Sequence, residues 1–158
     1  MTLVGLDLGH DTVLAAEHWI HDLVDRLGRP AGLVACTHMA SAPRPHVVVS
    51  LSSPVAGLAD GGTAVDLDPE GGRAVFYPGV DTLVGRVTVG HILASTAIDR
   101  IVVLGGGDPS DDQVVETRDF VRPLWSGGVL TLTTQPAWDG LLVPFETPNP
   151  TPCCADHR

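Results

Sequence analysis

Five aspartates fall in two short stretches that also carry glycine: Asp7 and Asp11 in LVGLDLGHDT, and Asp108, Asp111 and Asp112 in GGGDPSDD. Carboxylates are hard oxygen donors, and Mg²⁺ or a similar divalent cation is typically held by one or two of them together with waters. Asp7, Asp11 and Asp108 are therefore the candidate metal ligands, with Mg²⁺ or another divalent cation as the candidate cofactor. Two histidines lie where they could face the same rim, His10 just after the first apolar run and His38 just after Cys36-Thr37, and either could act as a general base. A second constellation closes the chain: Cys153, Cys154, Asp156 and His157 could bind a soft metal, although neighbouring cysteines lack the spacing of a closed zinc site. The favoured reading of that cluster is an inert tail. His18 and His21 can chelate at helical spacing or simply face solvent. No serine or cysteine occupies a recognisable nucleophile elbow.

These groups need elements to position them. Residues 3–7 form a short apolar run that reads as a buried strand, and residues 12–27 carry Val13, Ala16, Ile20, Leu23, Val24 and Leu27 at the spacing of a helical stripe, closed by Gly28 and Pro30. Residues 31–36, 46–51 and 73–77 read as strands, and residues 60–72, rich in Gly and Asp, as a turn-laden excursion. Residues 80–98 read as a helix despite Gly85 and Gly90, and residues 101–104 as another strand. Ser110 and Gln113 have the spacing of a capping box, which predicts a further helix bearing Val114, Val115, Val121 and Leu124 and limited by Pro123. Strands over 129–134 and 141–145 close a single domain, 1–146, and a Pro-rich tail follows, 147–158. The expected fold is α/β: a three-layer, Rossmann-like, mostly parallel sheet with one antiparallel edge strand and helices on both faces. In that fold the two aspartate loops lie side by side at strand carboxyl ends, although the same Gly and Asp residues would also serve as ordinary turns and caps.

Composition narrows the partners. The formal charge is −10, from 19 acidic residues against nine arginines and no lysine, so nucleic acid and anionic membrane are not expected partners. The amino terminus lacks the pattern of a signal peptide and no apolar run approaches membrane length, which predicts a cytoplasmic protein. In a reducing compartment the three cysteines are expected as thiols or ligands rather than disulfides.

The two aspartate loops and the element order resemble a von Willebrand factor A-like domain, whose first strand ends in an Asp-x-Ser-x-Ser metal motif and whose later strand ends in a Thr-Asp-Gly-like turn. Here Asp7-Leu8-Gly9-His10-Asp11 and Leu104-Gly105-Gly106-Gly107-Asp108 stand in those places, with Gly9 and Asp11 replacing serines and Gly106 the later acidic ligand. That resemblance implies a protein-interaction module with a degenerate metal motif, cation-assisted at most and partnered by protein. VGLDLGHDT and IDRIVVLGGGDP also resemble phosphate and adenosine motifs of the actin and heat-shock-chaperone ATPase fold, which makes Gly105, Gly106 and Gly107 candidate cofactor contacts, although that fold needs about twice this length. The alternative function is a small enzyme using the rim of Asp7, His10, Asp11, His38 and Asp108 on a phosphorylated or carbonyl substrate.

Overall fold

The computed structural model describes residues 2–53 and 63–148. The tail cluster Cys153, Cys154, Asp156 and His157 lies outside the described residues. In chain order the elements are β1 (Thr2–His10), α1 (Val13–Arg26), β2 (Val34–Ala40), β3 (His46–Ser53), β4 (Thr63–Val65), β5 (Arg73–Phe76), a 3-10 turn (Val80–Thr82), β6 (Arg86–Thr88), α2 (Val89–Ser95), β7 (Ile98–Val103), β8 (Val114–Glu116), β9 (Leu124–Ser126), β10 (Val129–Pro136), a second 3-10 turn (Trp138–Gly140) and β11 (Leu142–Pro144).

These strands form one eleven-stranded sheet in the order β4-β1-β3-β2-β5-β9-β10-β11-β8-β6, with β7 attached to β10. Among the described residues only β7/β10 and β8/β11 are parallel; every other pairing is antiparallel. The expected three-layer Rossmann-like fold is thus overturned. Long apolar runs suggested a parallel sheet because strands covered on both faces lose the in-out alternation. Here β3 is buried along its whole length, but its cover comes from two different packings of one folded sheet. On one face α1 lays Ala16, Ile20, Leu23 and Val24 against Leu6, Ala35, Val47, Val49, Leu51 and Val75. On the other, Val34, Cys36 and Ala74 join Leu83, Ile92, Ile98, Leu130, Leu132 and Leu142 from the carboxyl-terminal half. Full burial of each such aliphatic side chain contributes about 1.5–3 kcal/mol.

The first helix forms as its stripe predicts. The Thr12 hydroxyl accepts from the Ala15 amide at 3.1 Å, satisfying one orphan donor of the first turn. Two other expected helices do not form. Residues 80–98 divide into a 3-10 turn, a strand and the seven-residue α2, whose start is closed by carbonyls from the following loop: Asp111 O accepts from Gly90 N at 2.8 Å and Gln113 O from Val89 N at 2.9 Å. Residues 114–116 are strand, not helix, because the Thr117 amide and hydroxyl both donate to the Gly85 carbonyl, at 2.9 and 2.7 Å. Arg118 and Asp119 then turn the chain through left-handed φ values of 57°. The Ser110 hydroxyl donates to Asp112 rather than capping a helix. Among the described residues no helix is long and apolar enough to cross a membrane.

Candidate functional site

Strand β1 does not stop at Asp7. It runs on to His10 through a register shift against β3, with Gly9 at φ 73°. The shift leaves the Asp7 carboxylate facing the β2–β3 turn, where Oδ1 accepts from the Gly9 amide at 2.9 Å and Oδ2 from His46 Nε2 at 2.8 Å. The other ring nitrogen of His46 lies 2.7 Å from the Arg44 carbonyl. A carbonyl and a carboxylate both only accept, so His46 satisfies both neighbours only as an imidazolium that donates from both nitrogens. The electrostatics agree: the Arg44 carbonyl first, then Asp7, raise the His46 pKa above its ordinary 6.5, while the His46 and Gly9 donors hold Asp7 below its ordinary 3.8. Arg44 in turn reaches Asp11 at 2.6 Å, outside on the surface. Asp7 and Asp11 are therefore bonded to a histidine and an arginine, an arrangement that ties the end of β1 to a neighbouring turn.

This tie has a defined pH window. The raised His46 pKa makes its contribution complete below the unfolded value near 6.5 and lost as pH rises through the folded one; the lowered Asp7 pKa makes its contribution complete above the unfolded value near 3.8 and lost as pH falls through the folded one. The destabilisation caused by His46→Gln is expected to be largest between those two values and to shrink in alkaline buffer. Thermal midpoints of wild type and variant across the pH range measure it, and a pH-independent difference contradicts the assignment.

The remaining candidates lie apart. His10 packs against Trp19, ring centroids 6.3 Å apart, and its Nδ1 is buried with no partner among the described residues. His38 is buried on β2, its Nε2 2.8 Å from Ser50 Oγ on β3. Ser50 stands directly across from Cys36 in the ladder. Burial lowers the His38 pKa, against the opposing charge of Asp68, and burial pushes the Cys36 thiol up to about 12. A serine beside a neutral imidazole is the start of a nucleophile and base pair, but Ser50 is only 1% exposed. Gly72 also packs so close that a Cβ there would come within 2.6 Å of the His38 ring. The trio is a satisfied polar cluster inside the sheet.

Asp108 and Gly105, Gly106 and Gly107 follow β7, in a turn where Gly106 N donates to Val103 O at 3.1 Å. That loop is separated from β1 by β3, β2, β5, β9 and β10. The acidic rim, which needs neighbouring parallel strands, is consequently not assembled: Asp7, Asp11 and Asp108 do not converge, and among the described residues no group of three or more His, Cys, Asp or Glu side chains is placed to hold a metal ion. This corrects the expected metal site.

Two features that the sequence reading missed stand out. Glu17, on the buried stripe of α1, bonds to Arg122 at 3.0 Å and to Arg73 at 2.5 Å, and Arg73 also bonds to Glu146 beyond β11. Phe120 lies 4.1 Å beneath the Arg122 guanidinium. For Glu17, burial alone would raise the pKa, and the bonds and charges of Arg122 and Arg73 outweigh it and leave the carboxyl below its ordinary value. A glutamate at a stripe position three residues before Ile20 was the available signal.

The second feature is a sheet face that carries exposed apolar residues beside Thr131, Thr133 and Arg100. Thr131 on β10 pairs with Leu124 on β9 and with Arg100 on β7; two residues on, Thr133 pairs with Val102, and its carbonyl accepts from Phe145 N at 2.9 Å. Paired residues point the same way and alternate residues share a face, so Leu124, Val102 and Phe145 project together, away from buried Leu130 and Leu132. They are 40%, 38% and 56% exposed, and Leu104, the next alternate position, is 42% exposed. Between β9 and β11 a notch of about 240 Å³ opens beside β10, lined by Arg122, Leu124, Leu132, Pro144, Phe145 and Glu146. A larger cleft of about 370 Å³ lies between α1 and the first 3-10 turn, where Arg29 is already bonded to Asp81 at 2.6 Å. Neither cavity is lined by Asp7, His10, Asp11, His38 or Asp108.

No family model, curated protein or solved structure matches the chain.

Proposed function

We propose that the chain is a non-catalytic protein-interaction module of the cytoplasm that docks its partner on the outer face of the β9-β10-β11 and β7 strands. The observation that carries this reading is the row of exposed Leu124, Val102, Leu104 and Phe145 on one face beside an apolar notch. Exposed apolar residues scattered singly are ordinary, whereas a contiguous set flanked by polar groups marks an interaction surface. The notch has room for an apolar side chain, and half-buried Glu146 supplies a polar group beside it, as the rims of such interfaces do. An enzyme built on His10, His38 or the acidic rim would need a ring nitrogen or carboxylate opening onto a cavity. His38 faces Ser50 inside the sheet, and Asp7 and Asp11 face His46 and Arg44.

The test compares wild type, Val102→Asp with Phe145→Asp, and Leu14→Ser, which alters an exposed apolar residue on α1. With folded protein from each, proximity labelling in cytoplasm is expected to recover the same partners for wild type and Leu14→Ser and to lose them for the double variant. Identical recovery by all three contradicts the reading.

A further inference from the structure

Strand β7 is the one member of the sheet attached off its main path: among the described residues it pairs only with β10, so its other side is an open edge. The parallel register fixes which backbone groups that edge presents. Val103 stands opposite Thr134, and Leu104 N donates to Thr134 O at 2.9 Å; Ile101 stands opposite Leu132. In a parallel ladder the groups that reach β10 then belong to the even-numbered residues, and those of Ile101 and Val103 point outward. Val103 O is taken by Gly106 N within the following turn. Among the described residues the Ile101 amide and carbonyl and the Val103 amide remain as an unpaired row, flanked by exposed Val102 and Leu104.

Natural edges are usually blunted by charge, proline or a covering segment. Asp99 and Arg100 do this at the start of β7, but Arg100 is also engaged with Thr131 Oγ1 at 3.2 Å and the Ser126 carbonyl at 3.4 Å. From residue 101 to 104 the strand reads Ile-Val-Val-Leu without a charge. Past Leu104 comes a loop with Asp108, Asp111 and Asp112 exposed and, among the described residues, in no ion pair. The edge is therefore apolar from residue 101 to 104 and anionic at its carboxyl end, on a chain whose net charge is −10.

We infer that β7 receives an extended segment of the partner as an added antiparallel strand, one that begins with Lys or Arg and continues with alternating apolar residues. Strand addition draws affinity from main-chain hydrogen bonds and selectivity from alternate side chains. Antiparallel pairing is slightly the more stable of the two directions, and it brings the amino-terminal end of the added strand beside Asp108, Asp111 and Asp112. A second copy paired antiparallel on β7 would set Asp99 and an Arg100 already bonded to Thr131 Oγ1 and the Ser126 carbonyl beside the acidic loop, and each copy carries a net charge of −10, so it fits poorly. This inference rests on the interaction-module reading and names the edge and the partner chemistry within it.

The probes are three blocked peptides: Arg-Lys-Thr-Val-Thr-Val-Thr, the same peptide N-methylated at alternate residues so that it cannot complete a ladder, and Glu-Glu-Thr-Val-Thr-Val-Thr. They are titrated against the full chain, against Val103→Pro, which removes an outward amide that β10 does not use, and against Asp108→Lys with Asp112→Lys. Backbone amide shifts are expected at residues 100–104 with the basic-headed peptide, preferred over the acidic-headed one by about tenfold. The charge-swapped chain is expected to reverse that preference, and N-methylation to abolish binding. If Val103→Pro fails to fold, the charge swap and the methylated peptide still decide. Absence of binding at millimolar peptide, equal affinity for both heads, or shifts centred elsewhere overturns strand addition. Partners that are lost with Val102→Asp and Phe145→Asp but retained by the charge-swapped chain also overturn it, and leave the module itself standing.

Discussion

Gly79→Ala is expected to cost more than any other single methyl added to this protein. Gly79 has φ 86°, and a Cβ there would stand 2.1 Å from the Ser95 carbonyl oxygen and 2.6 Å from Thr96 Cα, backbone atoms that cannot swing away. Those atoms belong to the end of α2, which is fixed to the same segment by Ala97 N donating to Pro78 O at 2.9 Å. Relief would require α2 to separate from the first 3-10 turn, opening the core around Ile92, Leu83 and Tyr77. A loss above about 4 kcal/mol is expected, the range reserved for steric and core failures. Gly105→Ala is the control: φ is also positive, 73°, but nothing lies within 4 Å of the new methyl, so only the left-handed backbone cost of about 1–2 kcal/mol applies. Urea unfolding of both variants checks the contrast, and equal costs contradict the packing described at Gly79.

Glu17→Ala carries the second large effect. Glu17 and Arg122 are each 11% exposed at the side chain, so removing the carboxylate leaves a buried guanidinium without its counter-ion. Breaking such a pair from one side costs about 3–5 kcal/mol, and the lower end is expected because Arg73 keeps Glu146 as its second partner. Replacing both ends, Glu17→Met with Arg122→Met, is expected to recover most of the loss, since a buried pair and a well-packed apolar pair of similar volume are often close in energy. Chemical denaturation of the single and double variants measures this. A Glu17→Ala variant within about 0.5 kcal/mol of wild type would mean that the network is spectator chemistry.

Local periodicity was readable in the chain and long-range pairing was not. The stripe from Val13 to Leu27 specified α1 because a helix closes its own hydrogen bonds, and the runs around Leu6, Val49 and Leu132 were strands because little else buries consecutive β-branched residues. Strand direction left no such trace. Burial on both faces was read as a parallel sheet covered by helices, while the second cover is in fact the carboxyl-terminal half of the same sheet. The segment around Val114, Val115 and Thr117 shows a local signal overruled: Ser110 and Gln113 match a helix start, but β-branched residues next to a turn through Arg118 and Asp119 favour a strand locked by the Gly85 carbonyl. The site suffered most from this. Asp7 and Asp108 can meet only if β1 and β7 are neighbours, and the pairing order places five strands between them. The apolar face was invisible for the same reason, since Leu124, Val102 and Phe145 become one surface only through the registers of β9, β7 and β11 on β10.

The central claim is that the outer face around β10, rather than the carboxyl end of β1, is where this protein meets its partner. Amide hydrogen exchange of the chain alone and in complex with the recovered partner tests it most directly. Slowed exchange is predicted over β7, β10 and β11, with β1 and α1 unchanged; slowing confined to residues 7–11 and the β2–β3 turn would contradict the account.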